Sequence, residues 1–399
     1  MIDPTLRVAA VLPAQDGQAT SAGAARLPHI CFVAPALWPV FSGSDAIKVI
    51  GGAEVQQGII ARALARAGHR VSIITLDYGQ PEGIVIDGVS CHKTHTPGGG
   101  LPVLRYFHPR LTSVIAALKR VDADVYYTRS SSYLTGVVAA FCRHHGKRSI
   151  YAGALDLDFL PGQERIQYRR DRWLFQYGLR NSDALVVQNS FQYSTCAQNY
   201  GRQPALVPSS YDPPAGAAAD RAGHVLWVAN IRVQKQPELC VEIARRLPHL
   251  RFVMIGGSSS AGNDAMYRDI EAKARALPNV EFLGFLPYRK AEEYFDRARV
   301  FLNTSRTEGF PNTFLQAWAR GVPTVAFFDT GSRDGGEPVY RMPRSVDEAT
   351  AEVERLMSDD LYWKQSSDRC RDHFRAQHSV EAVTAAYSKL LARVMDDGE

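Results

Sequence analysis

Glu308 stands where a strand-like run, VFLNTS (300–305), gives way to a turn punctuated by Gly309 and Pro311. A helical pattern starts at Asn312, and Gly321-Val322-Pro323 leads into another strand. One carboxylate and several backbone N–H groups, among them those of Phe310 and Asn312 on either side of Pro311, thus gather at a helix N-terminus beyond a strand's carboxyl end. That is where open α/β sheets bind anions and nucleotides. Gln316, four residues on, shares the helix face of Asn312 and can both donate and accept hydrogen bonds. Gly51-Gly52-Ala53-Glu54 opens the helix pattern VQQGIIARALARAG in the same way. Glycines there let backbone N–H groups approach a phosphate, and the helix dipole favours its charge. Asn230, Arg232 and Lys235 fall just past the strand VLWVAN (225–230), where cations can stabilise a departing phosphate. Gly256 and Gly257 end the run RFVMIGG and suit a close approach of backbone to ligand.

The first half offers a different set. YAGALDLDF (151–159) ends a strand with Asp156 and Asp158, either of which can bind hydroxyls or cap a helix. Arg129 ends the strand YYTR on the same side. A helix after residue 161 is expected to carry Arg165, Arg169, Arg172 and Arg180 near one face, beside Ile166, Trp173, Leu174 and Tyr177. RYFHPR (105–110) adds two cations among aromatics. Such interleaving suits an anionic membrane surface, a single-stranded nucleic acid, or an ordinary solvated face.

The elements that must position these residues alternate. Strand patterns at 29–37, 70–76, 124–130, 149–155 and 184–190 are separated by helices, which implies a parallel sheet wrapped by helices. SYDPPAGAAADRAG (210–223) reads as a linker, after which strands at 225–230, 251–257, 280–285 and 300–305 restart the alternation. From 346 the pattern is helical. Two Rossmann-like halves with a cleft between them follow. The expected boundaries are a mobile extension at 1–28, a first domain at 29–210, the linker at 211–222 and a second domain at 223–379.

Hydrophobic content of 45% and charged content of 22% describe a globular protein, and no apolar run reaches the roughly 18 residues of a spanning helix. The six cysteines are scattered, with no CxxC pair, so they read as buried thiols of a reducing, cytoplasmic compartment. The net charge of +5 is uneven. Residues 29–210 carry 19 Lys and Arg against 12 Asp and Glu, whereas 211–399 carry 25 against 27. An anionic partner is expected on the first half.

The stretch EGFPNTFLQ (308–316) resembles the signature of family 4 of the retaining glycosyltransferases, in which two Glu residues eight positions apart flank a Gly-Phe-Pro or Gly-Phe-Gly turn. Glu308 matches the first Glu, and Gln316 departs from the second. Gly51-Gly52-Ala53-Glu54 matches the family's Gly-Gly-Ala/Ser-Glu loop, and Lys235 matches its Lys. The family's preceding Arg is replaced by Asn230, with Arg232 two residues later. A His-Asp pair usual near Asp156 and Asp158 is absent. The resemblance covers nearly all of 29–399 and implies the GT-B fold. The first domain would take the acceptor, and a last helix (380–399) would cross back onto it. The second would hold a UDP- or GDP-linked sugar, with Glu308 at the sugar hydroxyls, position 316 at the ribose, and backbone near Phe285 and Leu286 at the base. It implies sugar transfer with retained configuration, without cofactor or bound metal, in cell-surface polysaccharide or glycolipid assembly. Asp156-Leu157-Asp158 has the spacing of a metal-binding pair but falls in the acceptor half. The acceptor would be a sugar or a lipid-linked sugar at the inner face of the membrane, and no nucleic acid is expected. A non-catalytic nucleotide-sugar-binding protein and a sugar-nucleotide epimerase of the same fold are the alternatives.

Overall fold

The computed structural model describes residues 27–43, 51–100, 105–214, 223–258, 265–308 and 310–396. All but two residues of the expected mobile extension, most of the expected linker and Gly309 lie outside the described residues.

The first sheet contains β1 (Ile30–Val33), β2 (Val71–Thr75), β3 (Ile84–Ile86), β4 (Val89–Lys93), β5 (Val125–Arg129), β6 (Arg148–Ala152), β7 (Ala184–Val187) and β8 (Ala205–Leu206). Their order is β3-β4-β2-β1-β5-β6-β7-β8, parallel throughout except for β3 on β4. The central strands ICFV, VSIIT and ALVV are buried along their whole length, as strands covered on both faces must be. The second sheet contains β9 (His224–Val228), β10 (Phe252–Ile255), β11 (Val280–Gly284), β12 (Ala298–Asn303) and β13 (Thr324–Ala326), all parallel in the order β11-β10-β9-β12-β13. A small hairpin, β14 (Arg333–Asp334) with β15 (Glu337–Pro338), follows.

Each sheet reverses its winding beside its first strand, between β1 and β5 and between β9 and β12. The crevices at the carboxyl ends of those pairs are where ligands bind in sheets of this kind. The helix Val380–Asp396 packs on the first sheet, its Val383, Tyr387, Leu390 and Leu391 sharing one apolar cluster with Ile30, Phe32 and Tyr127.

Three features depart from the sequence reading. The β3–β4 hairpin is additional to it, and Asp87-Gly88 turns that hairpin with φ of 51° and 79°, the left-handed pair a two-residue hairpin requires. The helix Thr112–Val121 is additional too. The helix expected after 161 begins at Arg169, because Gly162 (φ 88°) makes a turn whose N–H donates to the Glu164 carboxylate at 2.8 Å. Arg165 therefore sits before the helix and not on its face.

Candidate donor site between the two sheets

Lys235 and Glu308 meet at the second sheet's switch point. Lys235 ends the 3-10 turn Val233–Lys235 after β9, and Glu308 follows β12, the strand beside it. The Lys235 ammonium donates to Glu308 Oε1, which also accepts from Ser305 Oγ at 2.7 Å. Both side chains keep some solvent access, 23% for Lys235 and 14% for Glu308. The two loops are sewn together below the pair. Trp227 Nε1 donates to Thr304 Oγ1 at 2.8 Å, and Thr304 Oγ1 donates to the Lys235 carbonyl at 2.7 Å. Arg306 N donates to the Gln234 carbonyl at 2.9 Å, and Gln234 Nε2 to the Thr307 carbonyl at 2.8 Å. The charged pair is thus held by backbone on both sides, with little freedom left to order when a ligand arrives.

Two helix N-termini converge on this point. The helix Asn312–Ala319 starts just after Glu308, with Pro311 at its cap position. Across the cleft starts the helix Gly52–Arg66, capped by Gly51. Their contact is close enough that a Cβ on Gly52 would lie 2.9 Å from Asn312 Nδ2. Gln56 clamps the junction: its Nε2 donates to Asn312 Oδ1 at 3.0 Å and to the Ser210 carbonyl at 2.7 Å, and its Oε1 accepts from Ser210 N at 2.7 Å. Helix ends of this kind attract anions, although here the Glu54 carboxylate folds over Gly51 and Lys235 is paired with Glu308.

The other expected donor residues have mixed placements. Asn230 and Arg232 are exposed beside the Lys235 turn, and Arg232 has no ion pair among the described residues. Gln316 is buried at 4% exposure, on the inner side of its helix. Phe285 is 45% exposed, whereas Leu286 packs onto the second-domain core. Gly256 is explained by the chain itself, since a Cβ there would come within 2.1 Å of the Ala229 carbonyl, and on Gly257 one would press the Phe285 ring at 3.2 Å. Phe310 packs on His378 with ring centres 4.8 Å apart.

His378 joins this turn to the crossings between domains. Its Nδ1 lies 2.7 Å from the Ser209 carbonyl, which can only accept, so Nδ1 carries the proton. Its own carbonyl accepts from Tyr211 N and Ser210 Oγ, both at 3.2 Å. Burial pushes the imidazolium down to about 3, so the ring is neutral. Sequence reasoning missed His378 and Gln56. The signal for Gln56 was a polar pair, Gln56-Gln57, in an otherwise apolar helix start; His378 gave none.

The first-domain carboxylates are both engaged within the protein. Asp158 is 1% exposed, and its Oδ2 accepts from Tyr151 OH, Ala154 N and Leu155 N at 3.0, 2.8 and 3.0 Å. Burial raises its carboxyl above the usual range against those hydrogen bonds. Asp156 Oδ1 accepts from Asn189 Nδ2 and Gln192 Nε2, both at 3.0 Å. Of the two roles open to Asp158 in the sequence, the structure shows bonds to its own loop. Arg129 lies among phenols, its Nη1 3.3 Å from Tyr127 OH, which in turn is 3.2 Å from Tyr387 OH, and its Nε is buried without a partner. Arg172 is not a free surface cation: it donates to the Ile166 carbonyl at 3.2 Å and lies 3.4 Å from the buried Glu164 carboxylate. Arg165 and Arg169 are exposed.

Residues 50–213 match Glycosyltransferase Family 4, and residues 222–359 match Glycosyl transferases group 1. The chain belongs to the family 4 type of GT-B glycosyltransferases. This glycosyltransferase chain is 23% identical over 305 residues to a phosphatidylinositol N-acetylglucosaminyltransferase of Arabidopsis thaliana, covering 72% of the chain and 65% of that protein. It is 24% identical over 197 residues to the lipopolysaccharide core biosynthesis glycosyltransferase LpsE of Rhizobium meliloti, covering 48% and 55%. The chain therefore spans less than two thirds of either relative's length. In structure it is similar to sucrose-phosphate synthase from Thermosynechococcus elongatus (TM-score 0.72, 18% identity, 93% of this chain and all of that one). It is also similar to Anabaena HepE in complex with UDP and glucose (TM-score 0.68, 14% identity, 92% and 99%). These similarities establish the GT-B fold.

Proposed function

We propose that this chain transfers a sugar from a UDP- or GDP-linked donor to an acceptor hydroxyl, with retained configuration and without a metal, in polysaccharide or glycolipid assembly. The observation that carries this reading is the Lys235–Glu308 pair at the second sheet's switch point, facing two helix N-termini. Lys235 pairs with Glu308. A donor diphosphate competes for Lys235, and Glu308 is then released to accept hydrogen bonds from sugar hydroxyls. As the bond from the sugar to phosphate breaks, negative charge grows on the diphosphate, where Lys235, Arg232 and the helix ends stabilise it. Fixed cations do the work that a metal does elsewhere; Asp158 is engaged by the loop around it and Asp156 by Asn189 and Gln192. Gln316, buried on the inner side of its helix, would meet the ribose through its amide. The names of the relatives, one acting on phosphatidylinositol and one in lipopolysaccharide core synthesis, favour a glycolipid product.

Contact with the membrane is part of the same proposal. Trp173, Phe107 and Tyr168 are 65%, 61% and 58% exposed on the first domain, among Arg165, Arg169 and Arg105. No helix among the described residues is long and apolar enough to cross a membrane, so contact would be peripheral.

A panel of nucleotide-sugars, scored by thermal stabilisation, tests the reading. A donor at 100 times its dissociation constant adds about 2.7 kcal/mol. Stabilisation by at least one donor and release of its nucleoside diphosphate are expected. A folded protein that neither binds nor cleaves any member of the panel would overturn the proposal.

A further inference from the structure

The carboxyl edge of the first sheet contains a cavity that the donor reading leaves unused. Its volume is about 300 Å³, with Val33, Ile74, Leu76, Val114, Tyr133 and Leu134 in its wall. It opens where β1, β2 and β4 end, against the start of the helix that follows β5 and so beside the first sheet's switch point. Four polar side chains of the wall are already engaged. Thr75 Oγ1 donates to the Pro35 carbonyl at 2.9 Å, and Thr94 Oγ1 to the Thr75 carbonyl at 3.0 Å. His95 Nδ1 pairs with Ser113 Oγ at 3.0 Å, and Ser132 Oγ accepts from Leu134 N at 3.2 Å.

Arg110 is the exception. It lines the cavity, and its guanidinium has no carboxylate partner among the described residues. Asp171, which acts electrostatically on Tyr133 as Arg110 does, is engaged by Arg170 at 2.7 Å. The N-terminus of the helix Tyr133–His145 borders the same cavity and adds partial positive charge. From Tyr133 an aromatic path runs outward. Tyr106 lies 5.5 Å from it, and Phe107, 61% exposed, lies 5.2 Å from Tyr106.

We propose that this cavity holds the apolar chain of an amphiphilic acceptor whose phosphate sits on Arg110, a proposal that rests on the transferase reading above. A purely carbohydrate acceptor would bring many hydroxyls into a mostly apolar wall with few partners to offer, and each unpaired hydroxyl opposes binding. A neutral lipid would leave the cation unmatched. A free phosphate would satisfy Arg110 and leave the apolar wall wet. Only an alkyl or isoprenyl chain ending in phosphate uses both halves of the site.

Calorimetry on the full chain with hexyl, octyl and decyl phosphate, kept below micelle formation, tests this. Affinity should rise about fourfold for each added methylene until the cavity is full. Octyl glucoside and inorganic phosphate should each bind at least about tenfold more weakly than octyl phosphate. Arg110→Gln should bring octyl phosphate down to the level of octyl glucoside. Leu76→Trp, at a half-buried wall position, should abolish the dependence on chain length. Both variants should keep wild-type affinity for a nucleoside diphosphate, which shows them folded. The proposal is overturned if octyl phosphate binds both variants as tightly as wild type, or if inorganic phosphate binds as well as octyl phosphate. Nucleotide-sugar binding without alkyl phosphate binding would sink the cavity assignment alone. The reverse pattern would sink the transferase reading and leave the cavity standing.

Discussion

At the second sheet's switch point charge fills the crevice, with Lys235 against Glu308 on loops tied by backbone hydrogen bonds. At the first sheet's switch point the crevice is apolar, with one cation at its wall and no acid to meet it among the described residues. The same winding of strands therefore produces two different solvents. A polar, pre-ordered crevice suits the part of the reaction shared by all donors, a diphosphate whose charge grows as it leaves. An apolar crevice suits the part that differs between enzymes, the acceptor. The chain places rigidity on one side and shape on the other.

The largest effect is expected from removing the carboxylate. Glu308→Ala should lower transfer about 100-fold or more while leaving the melting temperature near that of the wild type, because Glu308 is partly exposed and supports no core. Near-normal turnover in that variant would erase the contrast between the crevices. Lys235→Ala should weaken a nucleoside diphosphate about tenfold or more, and the free nucleoside hardly at all. Equal losses for both would mean that Lys235 holds the fold and not the phosphate.

The junction between the sides gives a smaller, diagnostic effect. Gly52→Ala should raise the donor KM severalfold, because a Cβ there crowds Asn312 Nδ2. Adding Asn312→Ala should relieve part of that loss. Strict additivity in the double-variant kinetics would show that the two helix ends are not coupled.

His378 supplies a prediction about pH. Its folded pKa, about 3, lies below the unfolded value of about 6.5. The unfolded chain therefore binds a proton that the folded chain refuses. This contribution to stability is complete above pH ~6.5 and declines by about 1.4 kcal/mol per pH unit as the pH falls towards about 3. His378→Gln should flatten the acid limb of the stability curve relative to wild type, as read by urea unfolding at a series of pH values. Parallel limbs would show that His378 is not neutral in the fold. The smallest effect concerns the surface. Arg165→Gln with Arg169→Gln should weaken sedimentation with anionic vesicles, each residue contributing about 1 kcal/mol at low salt. Nucleotide binding should be unchanged. Indifference of the wild type to such vesicles would make that face merely solvated.

The second side of the comparison is easier to read from sequence than the first. Glu308, Lys235 and the two glycine-marked helix starts are local signals, since a turn, a strand end and a helix start lie within a few residues of one another. Strand and helix alternation makes the two-sheet fold legible for the same reason. The Asp87-Gly88 hairpin carries a local signal too, one that the strand pattern at 70–76 overshadows. Asp156 and Asp158 look like ligands because sequence shows charge but not direction: Asp158 turns inward onto its own loop, and Asp156 is held by Asn189 and Gln192. The apolar cavity gathers residues from β1, β2, the loop after β4 and the helices around Val114 and Tyr133, and the His378 contacts join position 378 to 209 and 310. No local pattern encodes such long-range meetings.

The most direct test of the account is a crystal structure with a nucleoside diphosphate bound. The diphosphate should lie between Lys235 and the N-termini of the helices beginning at Gly52 and Asn312, with the Lys235–Glu308 pair opened and Glu308 facing the vacated sugar position. A diphosphate bound elsewhere, with Lys235 still paired to Glu308, would contradict the central claim.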